Sequence, residues 1–368
     1  ADHLRAPQPI VLRGARLARV LGLDVADAEV ERILRALGLA VETLADGWRV
    51  VPPSRRFDLE IEEDLIEEIA RIHGYDAIPT TLPAGAARLV APSETRVDES
   101  TARRQLASRD YLEAVNYAFV DAGLLATWGL TDGSVPLANP LSGELGVMRT
   151  ALLPGLVASL ARNAARQQPR VRLFELGNVF RANPGDAPIE TGRVAAAACG
   201  DVHAEQWGVG SRAIGFHDLK GDLDSLAALA GATLEYRASQ PAWAHPGRSA
   251  DVYRDGVRLG WIGQLHPRLQ RTLELDLDVV AFELDLAPLF SRAVPRAGAL
   301  SKYPSVRRDL AFAVAENDEW AAVEAAVKAA AGPFLRDLVL FDRYQGKGVE
   351  AGFKSLAMGL ILQDESRT

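Results

Sequence analysis

Val51-Pro-Pro-Ser-Arg-Arg-Phe-Asp-Leu-Glu-Ile-Glu-Glu-Asp-Leu-Ile-Glu-Glu-Ile-Ala-Arg-Ile-His-Gly-Tyr-Asp-Ala-Ile-Pro79 says more about this chain than any other stretch. Between Phe57 and Ala70 it holds seven acids, Asp58, Glu60, Glu62, Glu63, Asp64, Glu67 and Glu68, and no basic residue. The spacing predicts a helix over about residues 61–73, because Ile61, Leu65, Ile69 and Ile72 fall on one apolar stripe. On that helix Asp64, Glu67 and Glu68 are i, i+3 and i+4 neighbours and share a face. Asp58 precedes the first turn and can bend over it. Hard oxygen donors of this kind suit Mg2+, which takes a few carboxylates and keeps several waters. The plainer reading is a helix start favoured by the macrodipole, with Glu67 and Glu68 paired to Arg71. Spacing alone leaves both open and favours the second.

Upstream, residues 14–21 read as a short helix stopped by Gly22. A second helix starts near Asp24 or Asp27, both suitable N-caps, and carries Val30, Ile33, Leu34 and Leu37 before Gly38. Apolar runs at 39–44 and 48–51 flank Asp46-Gly47, a hairpin signal. Two helices and a hairpin suggest a winged-helix-like module over residues 1–83. Its second helix bears Asp24, Asp27, Glu29 and Glu31 against Arg32 and Arg35, which counts against a DNA regulator.

Downstream, residues 80–93 are rich in Pro, Ala and Gly and read as a linker. Over residues 84–297, helices at 101–108 and 152–165 mix with strand-like runs. The strands fall at 114–120, 171–174, 194–198, 250–254, 258–263 and 279–284, with Asp255-Gly256 as a turn. Strict βα alternation is absent, so an α+β fold with a largely antiparallel sheet is expected. Residues 298–368 restart with a strand at 308–314 and a helix at 319–330 whose Trp320, Val323 and Val327 face inward. Strands at 335–344 and 352–362 follow. This β-α-β-β order is the first two thirds of a ferredoxin-like unit. The sequence therefore reads as a fragment cut at both ends, lacking an initiator Met and the last helix and strand. The strand at 308–314 is then expected to keep an unpaired edge.

A chain of 368 residues predicts two or three domains. The single Cys199 excludes an internal disulfide framework and fits a reducing compartment. No apolar run approaches bilayer length, so a cytoplasmic protein with no membrane contact is expected. A net charge of −8 argues against broad nucleic-acid binding and leaves room for a local RNA footprint.

The opening stretch resembles the signature of the winged, DNA-binding-like domain in bacterial phenylalanyl-tRNA synthetase beta subunits. Further matches run in family order. Asn139-Pro-Leu-Ser-Gly-Glu144, Met148-Arg-Thr-Ala-Leu-Leu-Pro-Gly155, Leu173-Phe-Glu-Leu-Gly-Asn-Val-Phe180, Phe216-His-Asp-Leu-Lys-Gly-Asp222, His245-Pro-Gly-Arg-Ser249 and Leu265-His-Pro267 resemble the central domain. Tyr303-Pro-Ser-Val-Arg-Arg-Asp-Leu310, Phe341-Asp-Arg-Tyr344 and Lys354-Ser-Leu-Ala357 resemble the C-terminal ferredoxin-like anticodon-binding domain. Ala151, where Ser is frequent, and His73, where Tyr is common, depart from the pattern.

The resemblance implies that Asp58, Asp64, Glu67 and Glu68 ligate a magnesium ion associated with the alpha-subunit contact. It implies a ligase of two alpha and two beta subunits that uses ATP to attach phenylalanine to tRNA(Phe). The alpha subunit would hold ATP and phenylalanine, and this chain would scaffold it and bind tRNA. The core would be class II synthetase-like without catalytic motifs, and neither the paired-arginine nucleotide loop nor the glycine-arginine signature is found in it. Arg149 then reads as structural rather than catalytic. His245, Arg248 and His266 lie in Pro/Gly-rich turns with no Cys or third His spaced for zinc. Candidate tRNA contacts are Arg307, Arg308, Arg343, Lys347 and Lys354. Phe341 and Tyr344 are candidate stacking residues, with Phe341 expected in the core. A magnesium-dependent hydrolase would need a nucleophile or general base near the acids, and the sequence offers none.

Overall fold

The computed structural model describes residues 8–85, 91–297 and 301–364. The N-terminal segment and residues 86–90 of the expected linker lie outside the described residues. The chain divides into two compact units, Ala1–Ala91 and Pro92–Thr368.

In the first unit β1 (Ile10–Arg13) leads directly into α1 (Gly14–Leu21), which Gly22 ends in the left-handed region. The second helix, α2 (Asp27–Ala36), begins at Asp27. Its N-cap is Ala26, without a side-chain cap, so neither Asp24 nor Asp27 plays that part. Asp27 instead lies in the first turn, where its charge meets the positive end of the helix. Gly38 adopts φ 80°, as its place after the helix requires. The hairpin joins β2 (Ala40–Leu44) to β3 (Gly47–Val51). Its loop is Ala45-Asp46, one residue earlier than expected, because Gly47 already pairs with Leu44. β1, which the sequence did not suggest, pairs with the other side of β3 and gives the order β1-β3-β2.

Helix α3 (Glu62–His73) completes this unit. Leu12, Ile33, Leu34, Val50, Leu65 and Ile69 are fully buried between helices and sheet. Of the predicted stripe on α3, Leu65 and Ile69 reach the core, whereas Ile61 and Ile72 are 55% and 42% exposed. The helix meets the core through its middle turns only.

The second unit begins with α4 (Glu99–Ala107), β4 (Leu112–Glu113), β5 (Phe119–Val120), α5 (Ala122–Trp128), β6 (Val135–Pro136) and β7 (Val147–Met148). Of the strand expected over 114–120, only β5 at its end is observed, and β4 lies just before it. After α6 (Leu153–Ala164) come the long strands β8 (Val171–Arg181) and β9 (Ile189–Cys199), then α7 (Phe216–Ala228). β10 (Glu235–Ala238), β11 (Ala244–Arg254), β12 (Val257–Leu265), α8 (Pro267–Thr272), β13 (Val280–Asp285) and α9 (Leu286–Phe290) follow. Seven strands form a sheet in the order β10-β11-β12-β13-β9-β8-β4, and only the β4–β8 pair is parallel. This is the largely antiparallel α+β arrangement expected. Asp255 and Gly256, both at positive φ, turn β11 into β12.

The alanine run of β9 is explained by its place inside the sheet. Val194, Ala196 and Ala198 pack on the side of α4 and α7. Ala195, Ala197 and Cys199 pack under α6. A strand covered on both faces loses the polar alternation of a half-exposed one. Cys199 is 1% exposed, and burial raises its thiol pKa.

The remaining elements are β14 (Val306–Ala315), α10 (Trp320–Ala331), β15 (Leu335–Tyr344) and β16 (Phe353–Leu362). They form an antiparallel sheet in the order β14-β16-β15. Trp320, Val323 and Val327 of α10 cover Leu356, Met358 and Leu360, as their spacing predicted. Among the described residues β14 pairs with β16 alone. No helix among the described residues is long and apolar enough to cross a membrane.

Candidate functional site

The acidic run is organised by arginines. Asp64 is the third residue of α3, and its Oδ2 accepts the backbone N–H groups of Glu60 (2.7 Å) and Ile61 (2.9 Å). It therefore starts the helix by satisfying donors that no turn precedes. Glu62 accepts the Arg13 backbone N–H at 2.8 Å and its guanidinium at 2.6 Å. Glu63 pairs with Arg16. These two acids tie α3 to the junction of β1 and α1.

Asp58 and Glu68 meet on Arg56. The guanidinium reaches Asp58 through Nη2 at 2.6 Å and Glu68 through Nη1 at 2.9 Å. Arg71, one turn along the helix, reaches Glu68 at 2.6 and 2.8 Å. The Glu68 side chain is only 9% exposed. Hydrogen bonds from Arg71 and then Arg56 push its carboxyl down to about 2 against the opposing effect of burial. Asp58 is lowered chiefly by its bond to Arg56, and Arg56 is raised by the same two carboxylates. Glu67 is exposed.

Of the four predicted magnesium ligands, the fold brings Asp58 and Glu68 together on one arginine. Asp64 faces the backbone and Glu67 the solvent. No group of three or more His, Cys, Asp or Glu is gathered for a metal ion among the described residues. An octahedral magnesium ion needs oxygens free to converge on it. The residues as arranged do not fit that ion, because arginines occupy the oxygens of Asp58 and Glu68, backbone N–H groups hold Asp64, and Glu67 stands apart in solvent. Arg56 was the residue that charge counting passed over; its signal was its position two residues before Asp58.

Beside Arg56 lies an exposed apolar ridge. Phe57 is 81% exposed and Ile61 55%, and with Pro53 and Leu59 they line a cavity of about 240 Å3.

The other candidates resolve individually. Arg149 is 6% exposed, with Nη1 on Glu175 at 2.5 Å and Nε on the Asn178 carbonyl at 2.8 Å. Asn116 holds the second Glu175 oxygen at 2.6 Å, so this arginine is part of a closed structural network. His245 Nδ1 accepts the Gly247 N–H and His266 Nδ1 accepts the Arg268 N–H, which accounts for both as turn and cap residues. Arg248 donates to Gln264.

The five basic tRNA candidates do not form one patch. Arg307 pairs with Asp309 and lies over the Phe341 ring at 5.3 Å, on the sheet face away from α10. Arg308 and Arg343 stand opposite Leu360 and Leu356, and so on the α10 face. Lys347 is in the turn after β15, where its carbonyl accepts the Tyr344 hydroxyl. The Lys354 ammonium binds the main-chain carbonyls of Glu316 and Asp318. Phe341 is 49% exposed and Tyr344 45%, so Phe341 is outside the core where it was expected.

Three family models match in succession. Residues 10–75 match the tRNA synthetase B5 domain, residues 78–286 the phenylalanyl tRNA synthetase beta chain CLM domain, and residues 301–368 the ferredoxin-fold anticodon binding domain. The phenylalanine–tRNA ligase beta subunit of Xanthomonas campestris pv. campestris is 65% identical over 367 residues, covering 100% of this chain and 46% of its own length. That of Xylella fastidiosa (strain Temecula1) is 60% identical over 369 residues, covering 100% and 47%. The chain spans about half the length of the curated relatives it matches. Pyrrolysyl-tRNA synthetase from Desulfitobacterium hafniense gives a TM-score of 0.37 at 17% identity, over 52% of this chain and 66% of that one, too low to carry an argument.

Proposed function

This chain belongs to the phenylalanyl-tRNA synthetase beta-chain family, and on that premise we propose that it acts as part of the noncatalytic beta subunit of a phenylalanine–tRNA ligase. In this reading it scaffolds an alpha subunit in a cytoplasmic heterotetramer and contacts tRNA(Phe). The alpha subunit binds ATP and phenylalanine and joins phenylalanine to the tRNA. The observation that carries the reading is the unbroken order of three family models over residues 10–368. Residues 1–83 act as a winged-helix-like domain and residues 84–297 as a class II synthetase-like core without catalytic motifs. Residues 298–368 serve as the ferredoxin-like anticodon-binding domain. The closed network around Arg149 supports a noncatalytic core.

For tRNA, the open sheet face with Arg307, Phe341 and Tyr344 favours local contact by stacking and charge. Arg308 and Arg343, on the α10 face, and Lys347, in the turn after β15, are further phosphate contacts outside that face, and Lys354 contributes by fastening the turn after β14. For the alpha subunit, the contact surface is the Phe57–Ile61 ridge beside Arg56. A magnesium ion at Asp58, Asp64, Glu67 and Glu68 rests on the family resemblance; the hydrogen bonds favour Arg56 as the group that neutralises Asp58 and Glu68.

The test is co-purification of this chain with an alpha subunit, in Mg2+ and in chelator. The complex is expected to form in both, with aminoacylation absent from this chain alone. Full activity of the isolated chain sinks the subunit reading. Loss of the complex in chelator alone returns the four acids to the magnesium.

A further inference from the structure

Two motifs that the proposed role leaves unused, His245-Pro-Gly-Arg-Ser249 and Leu265-His-Pro267, meet at one end of the β11–β12 ladder. Ala244 pairs with Leu265, so His245 and His266 each stand one residue beyond the same pair. The His266 N–H bonds the Trp243 carbonyl at 2.9 Å and closes the ladder there. The register shifts between Ala244 and Ser249, and Pro246, Gly247 and Arg248 stand exposed in that bulge. Arg248 reaches back to Gln264, whose side-chain oxygen lies 2.8 Å from its Nη1. Arg268, two residues past His266 on α8, is exposed.

Every polar group gathered here donates outward. Nδ1 of His245 and of His266 accepts a backbone N–H, from Gly247 and from Arg268. A ring nitrogen that accepts is unprotonated, so even the neutral ring carries its hydrogen on Nε2, the opposite edge. Neither Nε2 has a partner among the described residues, and the Arg268 guanidinium has none either. Arg248 and Arg268 make no ion pair among the described residues, although the chain carries a net charge of −8. Acids are turned elsewhere. From Ser239 to Leu273 they are Asp251 and Asp255, nearer the far turn of the hairpin, and Asp251 takes Arg258 at 2.8 Å. Glu274, Asp276 and Asp278 follow α8, and Asp278 accepts from Gln270 at 3.3 Å. Two permanent cations and two imidazole donors on an open surface suit an extended polyanion, whose phosphates need no enclosing pocket.

We propose that this corner of the core is a second RNA contact, in which Arg248 and Arg268 neutralise backbone phosphates of tRNA and the two imidazoles donate to their oxygens. The inference rests on the reading of this chain as a tRNA-contacting subunit and places a contact outside the anticodon-binding domain.

The test follows the full chain binding a fluorescein-labelled tRNA(Phe) transcript by anisotropy across a salt series. Arg268→Gln, which removes no contact within the fold, should weaken binding about fivefold at about 0.1 M salt. It should also flatten the slope of log Kd against log salt by about 1, and Arg248→Gln with Arg268→Gln by about 2. The pair Arg162→Gln and Arg166→Gln, exposed on and just after α6, is the control and should leave both quantities unchanged. Binding by the wild-type chain that neither corner variant alters overturns this proposal and leaves the tRNA-contacting reading standing. A wild-type chain that does not bind the transcript overturns both. Equal losses in the control pair, or displacement of the tRNA by poly-glutamate at the same charge concentration, would mean general attraction of anions and also overturn the proposal.

Discussion

Arg56 shows how one side chain changes the reading of a charge run. Glu68 is nearly buried and yet fully ionised near neutrality, because Arg71 and Arg56 both donate to it. Its folded pKa is depressed, so the stability it contributes is present above the unfolded value and is lost as pH falls through the folded one. The window runs from about 4.5 down to about 2. Glu68→Gln is expected to cost roughly 1–3 kcal/mol at pH 7, since it unpairs two partly solvated arginines without stranding either in the core. Urea unfolding of both proteins between pH 7 and pH 3 measures this, and the gap should narrow below about pH 4.5. A gap that stays constant to pH 3 would rule out the ion pairs as its source. The acids of this site were legible in the sequence because like charges in a row stand out. Arg56 was not, since a flanking arginine matters only once the chain folds it back over α3.

Among the elements, those with clean periodicity were found close to their observed ends, among them α1, β15 and β16. Elements that depend on a distant partner were missed. β1 has four residues and is a strand because β3 is beside it. α7 carries Gly221 in its interior, a breaker signal, and holds through Leu219, Leu223 and Leu226 against the sheet. Two glycines of the first unit separate backbone freedom from space. A Cβ on Gly22, at φ 67°, meets only the Pro79 ring at 3.8 Å. A Cβ on Gly47 would stand 2.0 Å from the Leu12 carbonyl oxygen, at φ 151°. Gly22→Ala should therefore cost about 1–2 kcal/mol, the left-handed strain alone. Gly47→Ala should cost visibly more, because β1 must move away from β3. Thermal unfolding of the two variants compares them directly, and equal losses would refute the steric argument.

Across the molecule, the order of modules was readable from the succession of patterns, while the order of strands was not. β9 lies between β13 and β8, and its pairing with β13 joins residues more than 80 positions apart in the chain. Local spacing holds no record of such a pairing; only the apolar character of both faces of β9 hinted that it is interior. That interior strand ends in the chain's single cysteine. An aromatic disulfide reagent should label Cys199 in the native protein more than about a thousandfold slower than in the urea-unfolded chain, because the sheet must open under α6 first. Labelling at the unfolded rate would mean that α6 does not seal this face. The sequence therefore contains its own stopwatch: one thiol, needing no engineered tag, whose reaction times the opening of the sheet.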